Sequence, residues 1–422
     1  MDLAETKRMA LMNKPKDQRN LMVGLDIGTS KIVAIVAEAK PEGGFEVVGL
    51  GSHPSRGLKK GVVVNIESTV TAIQRALEEA ELMADCKIKE VYTGIAGSHI
   101  KSFNSHGMVA VKDREVSQLD VDRVIETAKA VNIPTDQQIL HVLNQEFVID
   151  GQEDVREPLG MAGVRLEVKV HIVTGAVSAA QNILKCVRRC GLEVRDLILQ
   201  PLASAMATLS EDEKDLGVAI VDIGGGTADI AVFTQGAIRH TAVIPIAGDQ
   251  ITNDIAMALR TPTAEAEEIK IRHGVAMHHM ADPEEMIEVP GVGDRPPRKL
   301  SRQALADVIE PRVSELFELV QAELRRSGYE ELLSSGIVLT GGSAVMRGMA
   351  ELAEDVFHMP ARVGAPQYDG GLADVVCQPR YATAMGLVME GAVQRRRGLQ
   401  ARDTRSVKQF FGRMKAWFER NF

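Results

Sequence analysis

The sequence predicts an α/β fold made of two similar halves, with a small subdomain inserted into the first half and an amphipathic helix at the C-terminal end. Three observations predict it: a strand, glycine turn and strand pattern that occurs twice, alternating strand and helix patterns around both copies, and an aromatic, basic final segment. The 422 residues, 45% of them hydrophobic and 25% charged, suffice for a large core and several domains.

The repeated pattern begins with a strand over 21–26, a turn at Gly28-Thr29-Ser30 and a strand over 32–37. It returns as a strand over 218–222, a turn over 224–227 and a strand over 230–233. Backbone N–H groups of such turns point at a common centre and form a nest for anions, and glycine lets the backbone approach phosphate oxygens closely. Two facing nests would hold a triphosphate.

One Asp-Gly turn alone is more often a plain hairpin, but the recurrence and a third glycine turn at 341–343 favour phosphate binding. The chain has neither a Walker A sequence nor GxGxxG after its first strand. The aspartates Asp26 and Asp222 are expected to hold Mg²⁺ through its water molecules. The predicted phosphate-binding residues are Asp26, Gly28, Thr29, Ser30, Lys31, Asp222, Gly224, Gly225, Gly226 and Thr227.

Between these turns, a helix over 181–190 is expected to be capped by Ser178 and ended by Gly191, and a strand follows over 194–199. Cys186 and Cys190 lie one helical turn apart, but no second pair completes a zinc pattern. The four cysteines are therefore expected to be reduced thiols of a cytosolic protein.

The inserted unit is expected between residues 95 and 170. It comprises a strand over 108–111, a helix over 120–131 stopped by Pro134, a strand that leads to the Asp150-Gly151 turn, and a strand over 165–172. Hydrophobic and polar residues alternate in the last strand, so it should bury one face only.

A second subdomain is expected over 247–302. Its helices, over 250–259 and 263–272, precede a loop rich in proline and glycine over 290–297. Ser301 then caps a helix that Pro311 is expected to break or kink.

The C-terminal segment has a charge opposite to the rest of the chain. Residues 395–422 contain nine basic and two acidic residues, although the net charge of the whole chain is −9. Projection of 407–422 on a helix places a wide aromatic face opposite a basic one, a pattern typical of helices that lie in an anionic membrane surface. The apolar face comprises Val407, Phe410, Phe411, Met414, Trp417, Phe418 and Phe422, and the basic residues are Lys408, Arg413, Lys415 and Arg420.

The alternative for this segment is a terminal helix that docks on its own core, but the polar stretch over 395–406 reads as a flexible linker. No run of about 18 apolar residues and no secretory signal is present, so membrane contact is expected to be peripheral.

These motifs resemble the actin, Hsp70 and sugar-kinase superfamily, and within it the FtsA family of bacterial cell-division proteins. The matching stretches are 92–97, Cys190-Gly191-Leu192, 221–230, 293–297 and 337–342. The resemblance covers roughly residues 21–422. It implies an actin-like fold, with two similar halves around a nucleotide cleft, and ATP with Mg²⁺ as cofactors.

The resemblance also implies roles for further residues. Gly248, in the matching motif of the second subdomain, is expected to bind the nucleotide. Gly341, Gly342 and Ser343 would border the ribose and base, and Glu267 and Lys270 would close over the purine. Gln200 could orient the attacking water, although it serves equally well as a helix-entry residue. Nucleotide binding is therefore expected to be tight, and hydrolysis slow or undetectable.

The resemblance further implies a protein that polymerises on the cytoplasmic face of the inner membrane at the division septum. It would tether the tubulin-like protein FtsZ, whose C-terminal peptide would bind near Arg295, Arg298 and Arg302, and recruit other division proteins through the inserted unit. Nucleic acid is not expected as a partner. The rival is a soluble sugar or carboxylate kinase on the same fold, and a chaperone is disfavoured because no second β-rich domain follows the third turn.

The expected segments are a disordered tail over 1–20, the first half over 21–94, 171–214 and 363–394, the inserted subdomain over 95–170, the second half over 215–246 and 303–362 with its subdomain over 247–302, a basic linker over 395–406 and a membrane-targeting helix over 407–422.

Overall fold

A computed structural model describes residues 20–40, 42–293 and 295–396. Its strands are β1 (Leu21–Ile27), β2 (Lys31–Ala39), β3 (Phe45–Pro54), β4 (Leu58–Lys59), β5 (Val62–Val63), β6 (Glu90–Ile95), β7 (Lys101–Ala110), β8 (Gln137–Ile149), β9 (Gln152–Val155), β10 (Arg165–Ala176), β11 (Glu193–Leu199), β12 (Val218–Ile223), β13 (Ala228–Thr234), β14 (Ala237–Ile244), β15 (Met286–Val289), β16 (Arg298–Ser301), β17 (Ile337–Thr340) and β18 (Ala361–Val363). Its helices are α1 (Ile66–Ala84), α2 (Gln118–Lys129), α3 (Val177–Arg189), α4 (Gln200–Thr208), α5 (Glu211–Leu216), α6 (Gly248–Leu259), α7 (Thr263–His273), α8 (Arg302–Ser327), α9 (Met349–Phe357), α10 (Ala373–Val376) and α11, which covers 382–396.

Two five-stranded sheets with the same topology form the two halves. Their strand orders are β11-β6-β1-β2-β3 and β14-β13-β12-β17-β18. In each sheet three antiparallel strands form a meander. A fourth strand pairs in parallel with the first strand of the meander, and a fifth pairs in parallel with the fourth. The predicted pair of similar halves is confirmed at the level of sheet topology.

The central strands are hydrophobic along their whole length because helices cover both faces of each sheet. In the first sheet, residues of β1 and β2 pack alternately against α1 and α3 on one face and against α11 on the other. In the second sheet, β12 and β13 pack against α6, α8 and α9 on one face and against α4 on the other.

Helix α4 contacts both sheets and crosses α11 at very short range. A side chain at Gly386 in α11 would place its Cβ 1.8 Å from the backbone oxygen of Ala203 in α4, so only glycine fits this crossing. This close packing brings the N-terminal parts of both helices to the ends of β1 and β12, where the candidate site lies.

The inserted unit is a separate four-stranded antiparallel sheet of order β7-β10-β8-β9, covered by α2. A capping box between Ser117 and Asp120 starts α2, two residues earlier than predicted. Strand β7 extends from Lys101 to Ala110, whereas the sequence predicted only 108–111. The early part of β7 is mostly polar and exposed, so no hydrophobic alternation marks it as a strand in the sequence.

Contact with the second half corrects the prediction that the last strand of the unit buries one face only. His171 is 1% exposed, because this end of β10 packs against β14 of the second half. Its Nδ1 is 2.7 Å from Asn104 Oδ1 and its Nε2 is 3.0 Å from Thr241 Oγ1. An amide oxygen only accepts, so Nδ1 donates and Nε2 accepts from the Thr241 hydroxyl. Burial and the nearby His240 lower the pKa of His171 to about 4.

Two helix predictions need correction. Helix α8 runs without interruption for 26 residues with Pro311 inside it, so the prediction of a break is wrong. Ile309 and Val313, both buried on either side of the proline, fix the helix against the core. Ser301 does cap α8, since its side chain accepts from the N–H of Ala304. Ser178, in contrast, lies within α3, whose N-cap residue is Ala176.

The two ends of the described chain lie side by side. Arg395 in α11 donates to the backbone oxygen of Leu21 and to Asn20 Oδ1, at 3.2 and 3.1 Å. The predicted linker therefore starts too early, because Arg395 and Arg396 are helical. The predicted amphipathic helix over 407–422 lies outside the described residues. Within the part of the chain that the structure describes, no helix is both long and apolar enough to span a bilayer.

Candidate phosphate-binding site

The two repeated turns have the same backbone geometry. The N–H of Gly28 donates to the backbone oxygen of Lys31 at 3.0 Å, and the N–H of Gly224 donates to that of Thr227 at 2.9 Å. Asp26 and Asp222 each occupy the next-to-last position of the strand that enters the turn. The turns therefore present their aspartates and backbone N–H groups in the same way.

The two turns face each other at contact distance. Ser30 Oγ donates to Asp249 Oδ1 at 3.3 Å, and Asp249 in turn donates its backbone N–H to Gly225. A Cβ at Gly225 would lie 1.7 Å from Ser30 Oγ, and one at Gly226 would lie 2.7 Å from the hydroxyl of Thr29. A side chain at either position would force Ser30 or Thr29 to move, so glycine suits this close approach of the halves.

Asp222 is fixed by two hydroxyl groups from the central helices. Its Oδ2 accepts from Ser204 Oγ of α4 at 2.5 Å and from Thr383 Oγ1 of α11 at 3.0 Å. Burial raises the pKa of this carboxyl group, and the two hydrogen bonds act in the opposite direction. The sequence analysis missed both hydroxyls, since nothing in their spacing relates them to the glycine turn.

Asp26 accepts a hydrogen bond from Gln200 Nε2 at 3.0 Å, where α4 begins. Burial raises the pKa of Asp26 to about 7, the Lys31 ammonium lowers it, and the negative charge of Asp222 raises it further. The two aspartates are therefore close enough to repel each other. Gln200, predicted as a water-orienting residue, has its amide engaged by Asp26.

The Lys31 ammonium interacts electrostatically with both Asp26 and Asp222. Its Nζ donates to the backbone oxygen of Arg380 at 2.5 Å and lies 5.0 Å from the ring centroid of Tyr381. Burial lowers the pKa of this ammonium to about 8, against the opposite effect of Asp26.

The third turn, at 341–343, contacts Gly224, the first glycine of the second turn. Ser343 Oγ donates to the backbone oxygen of Gly224 at 2.9 Å, and its N–H donates to Ile223 at 3.0 Å. Gly341 has a φ of +90° and is so close to Asp222 that a Cβ would lie 2.4 Å from Oδ1. A Cβ at Gly342 would meet no atom within 4 Å, so this glycine borders open space.

The predicted purine residues lie on α7, next to the start of α6. Lys270 Nζ donates to Glu267 Oε2 at 2.7 Å, to Thr252 Oγ1 at 2.8 Å and to the backbone oxygen of Gly248 at 3.1 Å. All three ammonium donors are therefore engaged, and Lys270 ties α7 to α6. The N–H of Gly248 donates to Gly224 at 3.1 Å, and the Glu267 side chain is 42% exposed.

Asp229 is a further carboxylate that the sequence analysis did not select. It is the cross-strand partner of Asp222 and is 4% exposed. Oδ2 accepts from the Thr227 hydroxyl at 2.8 Å, whereas Oδ1 has no partner among the described residues. Burial raises the pKa of Asp229 to about 8, and the charges of Asp222 and Asp26 act in the same direction. The hairpin pairs Asp229 with Asp222, and this pairing could have identified Asp229 from the sequence.

No group of three or more His, Cys, Asp or Glu side chains in the described ranges could ligate a metal ion directly. The pair Asp26 and Asp222 fits a Mg²⁺ ion that keeps most of its water, because two buried carboxylates that repel each other would be stabilised by a cation. The four cysteines, all within the described chain, are free thiols.

The arginines predicted to bind a partner lie in and beside β16. Arg298 donates to the backbone oxygen of Leu259. Arg302 donates to His273 and forms an ion pair with Glu285 at 2.6 Å. Arg295 is exposed. All membrane-binding residues predicted from 407 to 422 lie outside the described residues.

Two family models match the chain. A model described as "Cell division protein FtsA" matches residues 219–386, and one described as "SHS2 domain inserted in FTSA" matches residues 97–174. The latter range coincides closely with β7 to β10.

Similar proteins cover nearly the whole chain. Cell division protein FtsA of Pseudomonas aeruginosa is 63% identical over 409 residues, which are 95% of this chain and 98% of that protein. Cell division protein FtsA of Escherichia coli strain K12 is 48% identical over 414 residues, 96% and 99% of the two chains.

Solved structures with low sequence identity share the fold. The PilM-PilN type IV pilus biogenesis complex gives a TM-score of 0.64 at 19% identity, covering 88% of this chain and 98% of that chain. MreB5 of Spiroplasma citri bound to ADP gives 0.53 at 16% identity, covering 92% and 99%. The MamK double helical filament gives 0.51 at 12% identity, covering 88% and 98%. The predicted actin-like fold with its inserted subdomain is confirmed.

Proposed function

Because the chain belongs to the FtsA family of cell division proteins, we propose that it binds Mg-ATP between its two halves, polymerises on the membrane and tethers FtsZ to it. A role in cell division follows from the family itself. The rival interpretation as a sugar or carboxylate kinase has no support in these relatives. The finer steps are argued below from the described residues.

The observation that carries nucleotide binding is the meeting of the two glycine turns. Each turn offers backbone N–H groups, and contacts between Thr29, Ser30, Gly225 and Gly226 bring the turns together from opposite halves. A triphosphate held between them would bridge the halves, so its binding would favour the closed arrangement. MreB5, which shares the fold, was solved bound to ADP.

Asp26 and Asp222 would hold a Mg²⁺ ion, whose charge neutralises phosphate oxygens. Ser204 and Thr383 keep the Asp222 carboxylate oriented, and Gln200 does the same for Asp26. Because Gln200 Nε2 donates to Asp26, the amide oxygen is the group left to accept from an attacking water. Slow hydrolysis remains part of the proposal.

Filament formation and membrane attachment complete the proposal. MamK, which shares the fold, forms a double helical filament. The segment 407–422 would insert its aromatic face into an anionic leaflet, and one such helix binds reversibly. A filament with one segment per subunit would bind far more tightly through multivalency, so nucleotide-dependent assembly would control attachment.

The FtsZ peptide would bind on the small subdomain near Arg295, Arg298 and Arg302. Since Arg298 and Arg302 already have internal partners, exposed Arg295 would supply the mobile charge for an acidic peptide. Other division proteins would bind the inserted unit.

Nucleotide binding is tested by calorimetry with Mg-ATP on the full chain, comparing wild type with Asp222→Asn. We expect saturable binding by the wild type and at least about a ten-fold loss in the variant, because the amide cannot stabilise a cation as a carboxylate does. Asp254→Asn, which changes an aspartate that pairs with Arg312 away from the turns, is the matched control. Wild type without measurable binding would refute this part.

Tethering is tested with Trp417, the sole tryptophan, while anionic vesicles are titrated into protein with Mg-ATP. A saturating blue shift that weakens with neutral lipid is expected. Fluorescent FtsZ should then bind these vesicles only when the chain is present, and FtsZ without its C-terminal peptide should not. An unchanged, solvent-like Trp417 spectrum would rule out the tether.

A further inference from the structure

A short hairpin, β4–β5, places its two-residue tip against the phosphate-binding turns. Lys60 and Gly61 form the tip, with φ values of +50° and +75°, between the paired residues Lys59 and Val62. Two consecutive positive φ values define a tight hairpin turn in which asparagine and glycine are favoured. Lysine at the first position is unusual, because its Cβ makes this backbone conformation strained.

The tip contacts both turns and the first part of the inserted unit. The N–H of Gly61 donates to Thr29 Oγ1 at 3.0 Å, and a Cβ at Gly226 would lie 3.0 Å from the Cα of Lys60. On its other side, a Cβ at Gly61 would lie 2.7 Å from the Cα of Gly97. The backbone of Lys60 is thus adjacent to both copies of the repeated motif.

Within the second turn, the neighbours of the first and last glycines differ. Gly224 contacts Ser343 and Gly248, on the side of the third turn, which borders the proposed ribose and base. Gly226 contacts Thr29 and Lys60. A nucleotide whose base lies near Ser343 would therefore run its phosphate chain toward Gly226, and its terminal phosphate would lie nearest Lys60.

Among the described lysines beside these turns, Lys60 is the one whose ammonium has no protein hydrogen-bond partner. Lys31 donates to the Arg380 carbonyl, and Lys270 has all three donors engaged. The Lys60 side chain is exposed, and its ammonium forms no hydrogen bond or ion pair with the residues that the structure describes. Its flexible four-carbon stem lets the ammonium move toward an anion in the cleft.

We propose that Lys60 binds the terminal phosphate of a nucleoside triphosphate held between the two turns, and so makes the site prefer a triphosphate over a diphosphate. This inference rests on the proposed nucleotide binding. A diphosphate ends before the position nearest Lys60, and the ammonium then stays in water. The strained conformation of a lysine at this turn is explained by the ligand that its side chain reaches.

The test measures the affinities of Mg-ATP and Mg-ADP for the full chain by competition against a fluorescent nucleotide. The variants are Lys60→Gln, Lys60→Gly and Lys60→Arg, and the matched control is Lys59→Gln, which removes the same charge from the neighbouring exposed residue. Lys60→Gly separates the loss of charge from a loss of stability, because glycine adopts the positive φ without strain while the ammonium is removed.

We expect Lys60→Gln and Lys60→Gly to weaken ATP binding about ten-fold or more, the loss expected for one hydrogen bond to a charged group. ADP binding should weaken less than about two-fold. Lys60→Arg should restore ATP affinity to within about three-fold, because the charge returns. Lys59→Gln should bind both nucleotides like the wild type. The thermal stability of nucleotide-free Lys60→Gly should equal or exceed that of the wild type.

Equal losses of ATP and ADP affinity, or none, would overturn the role of Lys60 while leaving nucleotide binding intact. An equal effect of Lys59→Gln would also overturn it, since the effect would then be one of general charge. If the wild type binds neither nucleotide, the proposed function fails and this inference fails with it.

Discussion

Acid is expected to weaken the junction between the inserted unit and the second half through His171. Its ring is buried between Asn104 and Thr241, and its pKa is lowered to about 4 by burial and by His240. A histidine whose folded pKa lies below its unfolded value of about 6.5 contributes stability above pH 6.5 and loses it as the pH falls toward 4. Over this window the folded state must accept a buried charge or unfold.

The size of the effect follows from the difference of about 2.5 pKa units. At pH 5.0 the loss is about 2 kcal/mol relative to pH 7.5, and at pH 4 it approaches about 3 kcal/mol. Another pair of titratable groups, His240 and its partner Glu323, also lies at this junction, so a variant is needed to isolate His171.

The measurement is urea unfolding by circular dichroism at pH 7.5 and 5.0, for wild type and His171→Gln. Glutamine cannot ionise, so the variant's difference between the two pH values should be smaller than that of the wild type by about 2 kcal/mol. At pH 7.5 it should lose about 1 kcal/mol, because one hydrogen bond is made less well. His279→Gln, at an exposed position, is the control and should keep the wild-type difference. A variant with the same pH dependence as the wild type would refute the reasoning.

Three further outcomes are expected. Ser204→Ala combined with Thr383→Val should lower stability by about 2–4 kcal/mol in thermal unfolding and weaken Mg-ATP binding, because Asp222 loses both donors; unchanged stability would contradict the anchoring role. Gly225→Ala should reduce nucleotide affinity at least about ten-fold by calorimetry, since its Cβ would overlap Ser30 Oγ, and wild-type affinity would show that the turns do not need this contact. The factor by which Mg²⁺ raises ATP affinity should grow up to about ten-fold from pH 6 to 8, because Asp26, with its pKa of about 7, loses the proton that competes with the cation. A factor that does not change with pH would exclude Asp26 as the ligand.

The sequence predicted the parts of the fold that local patterns determine. Both glycine-turn hairpins form within one or two residues of the expected bounds, because strand periodicity and glycine turns act over short distances. Helix α2 begins two residues earlier than predicted because of its capping box, and most of β7 was missed because its first residues are polar and do not alternate.

Long-range packing determines what could not be predicted. Asp222 is anchored by Thr383, far along the chain, and Lys31 is captured by the Arg380 carbonyl, so neither relation has a spacing to detect. His171 looked like a solvent-facing residue until the second half covered it. Pro311 stays helical because the packing of its neighbours outweighs its local preference.

The hydrogen bonds from Arg395 to Leu21 and Asn20 have a practical consequence for imaging. Whatever precedes Asn20 and whatever follows Arg396 leaves the folded body from one shared corner. A fluorescent protein fused ahead of Asn20 would therefore start next to the point where the chain continues beyond Arg396 toward the proposed membrane-binding segment. Labels intended to leave localisation undisturbed therefore belong in surface loops of the two halves, away from that corner.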